Sequence, residues 1–193
     1  DFAAAHRVVR VEAEATRIDP ADRSVALADG RTLTGDALLI ATGSRAVVPD
    51  FAGGNLDGVM TLRSLDDAVR LSAAAERAAR VVVIGAGFIG LEAAAFLTKR
   101  GLSVTVLARE DIPFANRFGE AVGKAPKRSH SGNGVAFQPA SVARIAGEGR
   151  ARAVDTAAGR RLPAPIGLVC ARAQPALAIC HGVWPAKNGG LSA

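Results

Sequence analysis

Gly85, Gly87 and Gly90 stand at a G-x-G-x-x-G spacing in Val81-Val82-Val83-Ile84-Gly85-Ala86-Gly87-Phe88-Ile89-Gly90. Such a spacing does its chemistry through the backbone. The first glycine permits a tight turn out of a strand, the second lets the main chain approach a pyrophosphate, and the third lets a helix pack close to the strand. A helix that starts there offers free N–H groups and the positive end of its dipole to phosphate. Three glycines in ten residues are also a common accident, so the surroundings decide between a binding loop and an ordinary Gly-rich turn.

The surroundings complete the unit. An apolar strand over 81–84 precedes the glycines, a helix-forming stretch from Leu91 to Lys99 follows them, and Gly101 ends that helix. Ser103-Val104-Thr105-Val106-Leu107 supplies the second strand. A strand–helix–strand segment over 81–107 is the setting a dinucleotide fingerprint requires. The acid that would bond a ribose 2′-hydroxyl is missing at Ala108. Glu110 could serve that ribose, Arg109 could meet a 2′-phosphate, and both could equally be solvated loop charges.

The rest of the chain must position this unit. Of its 193 residues, 49% are apolar, a globular proportion, and no apolar run is long enough to span a membrane. The formal charge is +6, but the basic residues are scattered and aromatics are only 4%, so stacking on nucleic-acid bases has little support. Cys170 and Cys180 match neither a metal spacing nor a C-x-x-C pair and read as reduced thiols. His6, His130 and His181 are far apart and read as surface or loop residues. The opening Asp1-Phe2-Ala3-Ala4-Ala5-His6 has neither a basic nor an apolar signal segment, so the expected location is the cytoplasm.

Residues 8–15 alternate loosely and suggest a strand. Ser24–Leu27 and Arg31–Thr34 flank Asp29-Gly30, a hairpin signal, giving a small meander. Ala37-Leu38-Leu39-Ile40-Ala41 is continuously apolar, as in a strand buried on both faces. Residues 45–61 carry Pro49, Gly53, Gly54 and Gly58 and read as an extended linker. Ser64, with Asp67 three residues on, starts a helix. Pro126 implies that a helix over 120–130 is short, kinked or split. Segments around 135–137, 142–145, 151–154 and 160–162 suggest further strands and a second meander, and 166–169 a return to a parallel sheet weakened by Pro165 and Gly167.

Three motifs in order extend the reading: Leu38-Leu39-Ile40-Ala41-Thr42-Gly43-Ser44-Arg45, then Thr61-Leu62-Arg63-Ser64-Leu65-Asp66-Asp67-Ala68, then Val83 to Glu92. With these the chain, over about 8–178, resembles FAD-dependent pyridine-nucleotide oxidoreductases of the ferredoxin-reductase type, including proteins like apoptosis-inducing factor. The resemblance implies an α/β fold: a Rossmann-like NAD(P)-binding domain with a parallel sheet and β-meander, preceded by a partial FAD-domain segment. Residues 1–61 would be that segment, 62–185 the NAD(P) domain and 186–193 a tail leading back to the FAD domain. It further implies that NAD(P)H lies on Gly85, Ala86, Gly87, Phe88, Ile89 and Gly90, with Glu92 near the nicotinamide. FAD would be met by Ala15 through its backbone, by Ala41, Thr42 and Gly43, and by Arg63.

The implied activity is electron transfer from NAD(P)H through FAD to ferredoxin or another iron–sulfur carrier. Hydride transfer needs no side-chain acid, base or nucleophile, so no catalytic residue is expected. The stretch Cys170-Ala171-Arg172-Ala173-Gln174-Pro175 departs from the Gly-x-Gly-x-x-Pro that such proteins place beside the nicotinamide, and an N-terminal GxGxxG and a late Gly-Asp are not in the sequence. These departures suggest an internal fragment that is inactive by itself. They leave open a nucleotide-binding remnant without catalysis, and a disulfide reductase on the same scaffold.

Overall fold

A computed structural model of the protein describes residues 2–180, 184–185 and 191–192. The chain divides into two compact units, one of residues 1–45 and 174–193 and one of residues 46–173.

In the first unit a four-residue helix, α1 (Phe2–Ala5), precedes three antiparallel strands, β1 (Ala15–Asp19), β2 (Ser24–Leu27) and β3 (Thr32–Thr34). The Asp29-Gly30 turn joins β2 to β3, with Gly30 at φ 87, and Asp29 accepts from the backbone and the guanidinium of Arg31. The strand expected over residues 8–15 is instead β1. Ile18 and Leu27 are the apolar side chains this meander buries, and β1 is where pairing with β2 satisfies the backbone. The buried strand expected at Ala37–Ala41 is not formed. No described strand pairs with that segment, and Leu39 is 89% exposed. An apolar run becomes an inner strand only where neighbours on both edges complete its ladder.

The chain leaves this unit through β4 (Ser44–Val47) and returns through β13 (Arg172–Pro175). The packing division therefore falls at 45/46 rather than 61/62. The expected linker also holds β5 (Val59–Thr61), a strand of the main sheet, and its residues 52 and 57 bridge to the second meander.

The second unit is built on β6 (Arg80–Ile84), whose residues after Arg80 are all buried. Around it stand α2 (Leu65–Ala75), α3 (Phe88–Lys99), β7 (Ser103–Ala108), α4 (Ala115–Phe118), α5 (Glu120–Gly132), β8 (Ala136–Pro139), the meander β9 (Val142–Glu148), β10 (Arg150–Thr156) and β11 (Arg161–Pro163), and β12 (Ile166–Val169). The sheet order is β5-β12-β6-β7-β8, and every pairing within it is parallel.

Alternation along β6 makes three layers. Val81 and Val83 face Leu71 of α2 and Ala93, Ala94 and Leu97 of α3. Val82 and Ile84 face Ile145, Ala151 and Val154 of the meander. A strand covered on both faces has no polar side, so it reads as an unbroken apolar run. β12 forms despite Gly167: the missing side chain makes room for Ile145, whose Cδ1 would lie 3.2 Å from a Cβ there. Pro126 also fails to split α5, which runs unbroken for 13 residues. An interior proline costs a helix about 3 kcal/mol, and α5 absorbs it while burying only Gly123 from its own length.

Backbone pairing of Trp184–Pro185 (β14) with Leu191–Ser192 (β15) closes the described chain. His181 and most of the 186–193 tail lie outside the described residues. Among the described residues no helix is long and apolar enough to cross a membrane.

Candidate dinucleotide site

The three glycines sit where β6 gives way to α3, at the carboxyl end of the parallel strands. There Ile84 is level with Leu107 of β7 and Val169 of β12. Open α/β sheets bind ligands at this end.

Each glycine meets a different constraint. Gly85 has φ +116, and a Cβ on it would lie 2.7 Å from the carbonyl oxygen of Cys170. Its N–H donates to Leu107 O at 2.8 Å, which fixes the turn against β7. A Cβ on Gly90 would lie 2.1 Å from the Gly85 carbonyl oxygen, so α3 rests directly on the strand end. Gly87 is different. A Cβ there would meet nothing within 4 Å, and its φ of −79 is open to any residue. Of the three, only Gly87 faces unfilled space.

Gly87 is also the N-cap of α3, which has no side-chain cap and no acid in its first turn. The first N–H groups of a helix have no intrahelical partner. Here they are left to an external acceptor at the positive end of a 12-residue helix. Ala86 is half-buried against the helix-side core, whereas Phe88 and Ile89 are exposed. Glu92, the fifth residue of α3, is exposed one turn beyond the glycines.

At the end of β7, Ala108 pairs with Pro139 and accepts from Ala140 N. Arg109 and Glu110 follow, both exposed. Glu110 accepts a hydrogen bond from the Asn116 side chain of α4. No ion pair among the described residues involves Arg109. Asn116 was not legible in the sequence, because it acts only by tethering Glu110. Nor was the ring cluster beside it: Phe88 lies 4.5 Å from Phe114 and 6.3 Å from Phe118, centroid to centroid. With aromatics so scarce, Phe114 and Phe118 four residues apart were the available signal.

Arg63 lies two residues past β5, at the same end of the sheet, since Thr61 is level with Val169. Its N–H, with that of Ser64, donates to Asp67, closing a capping box at the start of α2. Ala15, Ala41, Thr42 and Gly43 belong to the other unit. Ala15 opens β1, and the other three are exposed. Gly43, at φ 74, accepts from Ala176 N at 3.0 Å.

Cys170 N donates to Ile84 O at 2.8 Å, and its side chain packs on the helix-side core. Burial pushes its thiol up to about 11, which argues against a reactive thiolate. No group of three or more His, Cys, Asp or Glu among the described residues could hold a metal ion.

Residues 3–191 match the family profile of pyridine nucleotide-disulphide oxidoreductases. The chain is 36% identical over 190 residues to the ferredoxin–NAD(+) reductase component of the biphenyl dioxygenase system of Paraburkholderia xenovorans, covering 97% of the chain and 47% of that protein. It is 35% identical over 170 residues to human apoptosis-inducing factor 3, covering 87% of the chain and 28% of that protein. Among solved structures, the ferredoxin reductase for the CYP199A2 system of Rhodopseudomonas palustris superposes with a TM-score of 0.85 at 30% identity, covering 92% of the chain and 45% of its own. Putidaredoxin reductase, solved in covalent complex with putidaredoxin, gives 0.81 at 28% identity, covering 94% and 46%. The chain thus spans less than half the length of these relatives.

Proposed function

Because the chain belongs to the pyridine nucleotide-disulphide oxidoreductase family, we propose that its second unit binds NAD(P)H in a flavin-dependent oxidoreductase that delivers electrons to a ferredoxin-like iron–sulfur partner. The open space in front of Gly87 carries this reading. Gly85 and Gly90 are needed by the fold itself, but the fold does not need a glycine at Gly87. A pyrophosphate does, because its oxygens must come within hydrogen-bond distance of the backbone at the head of α3.

The residues present fit a nicotinamide dinucleotide. Gly85 to Gly90 hold the pyrophosphate through backbone N–H groups, with Ala86 setting the turn and Phe88 and Ile89 opening the helix. Glu110, tethered by Asn116, meets the adenosine ribose of NAD(H), and Arg109 is placed to meet a 2′-phosphate instead. Glu92 lies toward the nicotinamide. When bound, the dinucleotide supplies a hydride, and the protein supplies orientation and electrostatics.

For FAD the proposed contacts are Ala15, Ala41, Thr42, Gly43 and Arg63. Of the four in the first unit, Ala15 opens β1 and Ala41, Thr42 and Gly43 are exposed. The chain by itself is proposed to bind the nicotinamide dinucleotide without turning over.

Titrating the purified chain with NADH and with NADPH, each with and without FAD, tests this. Saturable binding of either dinucleotide without retained flavin is the expected result. Absence of binding by both dinucleotides would overturn it.

A further inference from the structure

The opposite end of the parallel sheet carries a second concavity, an open groove of about 1050 Å³ within the second unit. It lies at the amino ends of the strands, against Val59, Arg80 and Ile166, where β5, β6 and β12 begin. Five-residue β6 separates it from the glycine loop by about 17 Å, so it is not part of the dinucleotide site.

Five arginines line the groove: Arg70, Arg77, Arg80, Arg150 and Arg152. They come from α2 and the residues after it, from the start of β6 and from β10. The lining holds one carboxylate, Asp57, and Arg150 engages it at 3.2 Å. Arg70 is paired with Asp67. The side chains of Arg77, Arg80 and Arg152 make no ion pair or hydrogen bond with any described residue. At Asp155, by contrast, Arg144 and Arg161 share one carboxylate. Between the guanidinia the wall is apolar, with Met60, Ala74, Ala78 and Pro165.

We propose that this groove binds an organic polyanion of nucleotide size, a molecule with several phosphate groups on an apolar or aromatic body. Guanidinium forks match phosphate oxygens two at a time, and three of these forks have no internal partner. The concave apolar wall covers the body of such a ligand, and the volume is at the upper end of that seen for small-molecule sites. A flat acidic protein surface could meet the arginines but would leave that wall unfilled.

The test titrates the 15N-labelled chain with ATP in the absence of divalent metal, and separately with hexaglutamate, following backbone amide signals. ATP is expected to produce saturable shifts at Gly58, Val59, Arg80 and Ile166 that weaken as salt rises. In the triple variant Arg77→Gln, Arg80→Gln, Arg152→Gln, whose altered side chains are exposed, ATP affinity at those amides is expected to fall at least about tenfold, while the rest of the spectrum stays in place. Shifts at the glycine loop alone, unaltered affinity in the variant, or hexaglutamate binding at those amides as tightly as ATP would each overturn the proposal. The dinucleotide site is read from different amides, those of residues 85–90, so either site can fail without the other.

Discussion

The carbonyl oxygen of Gly85 lies 2.1 Å from where a Cβ on Gly90 would stand. The strand end and the first turn of α3 are therefore in backbone contact, and neither can move without opening the core that Ala93, Ala94 and Leu97 share with β6 and β7. Gly90→Ala should destabilise the chain by about 3 kcal/mol, because overpacking here is against backbone rather than a side chain that can swing away. Gly87→Ala has open space before it. It should leave the midpoint of urea unfolding unchanged yet weaken NADH binding by roughly tenfold or more, a loss of about 1.4 kcal/mol. Paired denaturation and binding curves for the two variants check both halves. Equal binding by Gly87→Ala and the parent would remove the argument for a pyrophosphate at this loop.

Asp67 holds the start of α2. Burial of its carboxyl works against ionisation, but the Arg70 guanidinium and the N–H groups of Ser64 and Arg63 outweigh it and hold the carboxyl below its ordinary value of 3.8. An acid with a lowered folded value stabilises the fold above its unfolded value and loses that contribution as pH falls through the folded one. The parent should therefore lose this part of its stability below about pH 4. Asp67→Asn should cost about 1 kcal/mol at neutral pH, as expected for a broken cap, and should flatten that acid limb. Thermal melts between pH 3 and 7 measure it.

The unit around the glycines was legible because everything that makes it is local. The strand, turn, helix and second strand adjoin in sequence, and Ser64 with Asp67 marked the preceding helix, α2, through a contact three residues long. What the sequence hid depended on partners far away. Ala37–Ala41 has the composition of an inner strand, but no described strand pairs with it. Gly167 looked like a strand breaker because Ile145, which fills its space, is distant in sequence. His130 read as a surface residue, yet its ring nitrogens lie 2.8 Å from Pro126 O and 3.1 Å from Leu91 O, joining α5 to the glycine-loop helix. At the site, the glycines and the loop after β7 came from spacing, while Asn116 and the phenylalanine cluster came only from the folded chain.

The exposure of Leu39 can be checked directly. A leucine buried between two strands costs about 2–5 kcal/mol when removed, and a charge in its place costs more. With 89% of its surface in water, Leu39→Lys should change the unfolding midpoint by no more than about 0.5 kcal/mol equivalent, the range of ordinary surface changes. A large loss in chemical denaturation would mean that this segment is buried after all.

Cys170 offers a probe of the site's core. Its side chain packs with the buried cluster behind the glycine loop, and burial lifts its thiol from 9.0 to about 11. A raised thiol favours the protonated form in the fold, so the fold keeps that contribution below pH 9 and loses it as pH rises toward 11. The thiolate is the reactive form. In a Cys180→Ser variant, which leaves Cys170 as the single cysteine, an aromatic disulfide reagent at pH 8 should modify the folded chain far more slowly than the urea-unfolded chain. The folded rate should climb between pH 9 and 11. Saturating NADH should slow it further, because a ligand bound at the head of α3 stabilises the layer that covers the sulfur. Fast labelling at pH 8 without denaturant would contradict the packing of Cys170 against the helix-side core. An unchanged rate with NADH at saturation would show that the dinucleotide does not tighten this end of the sheet.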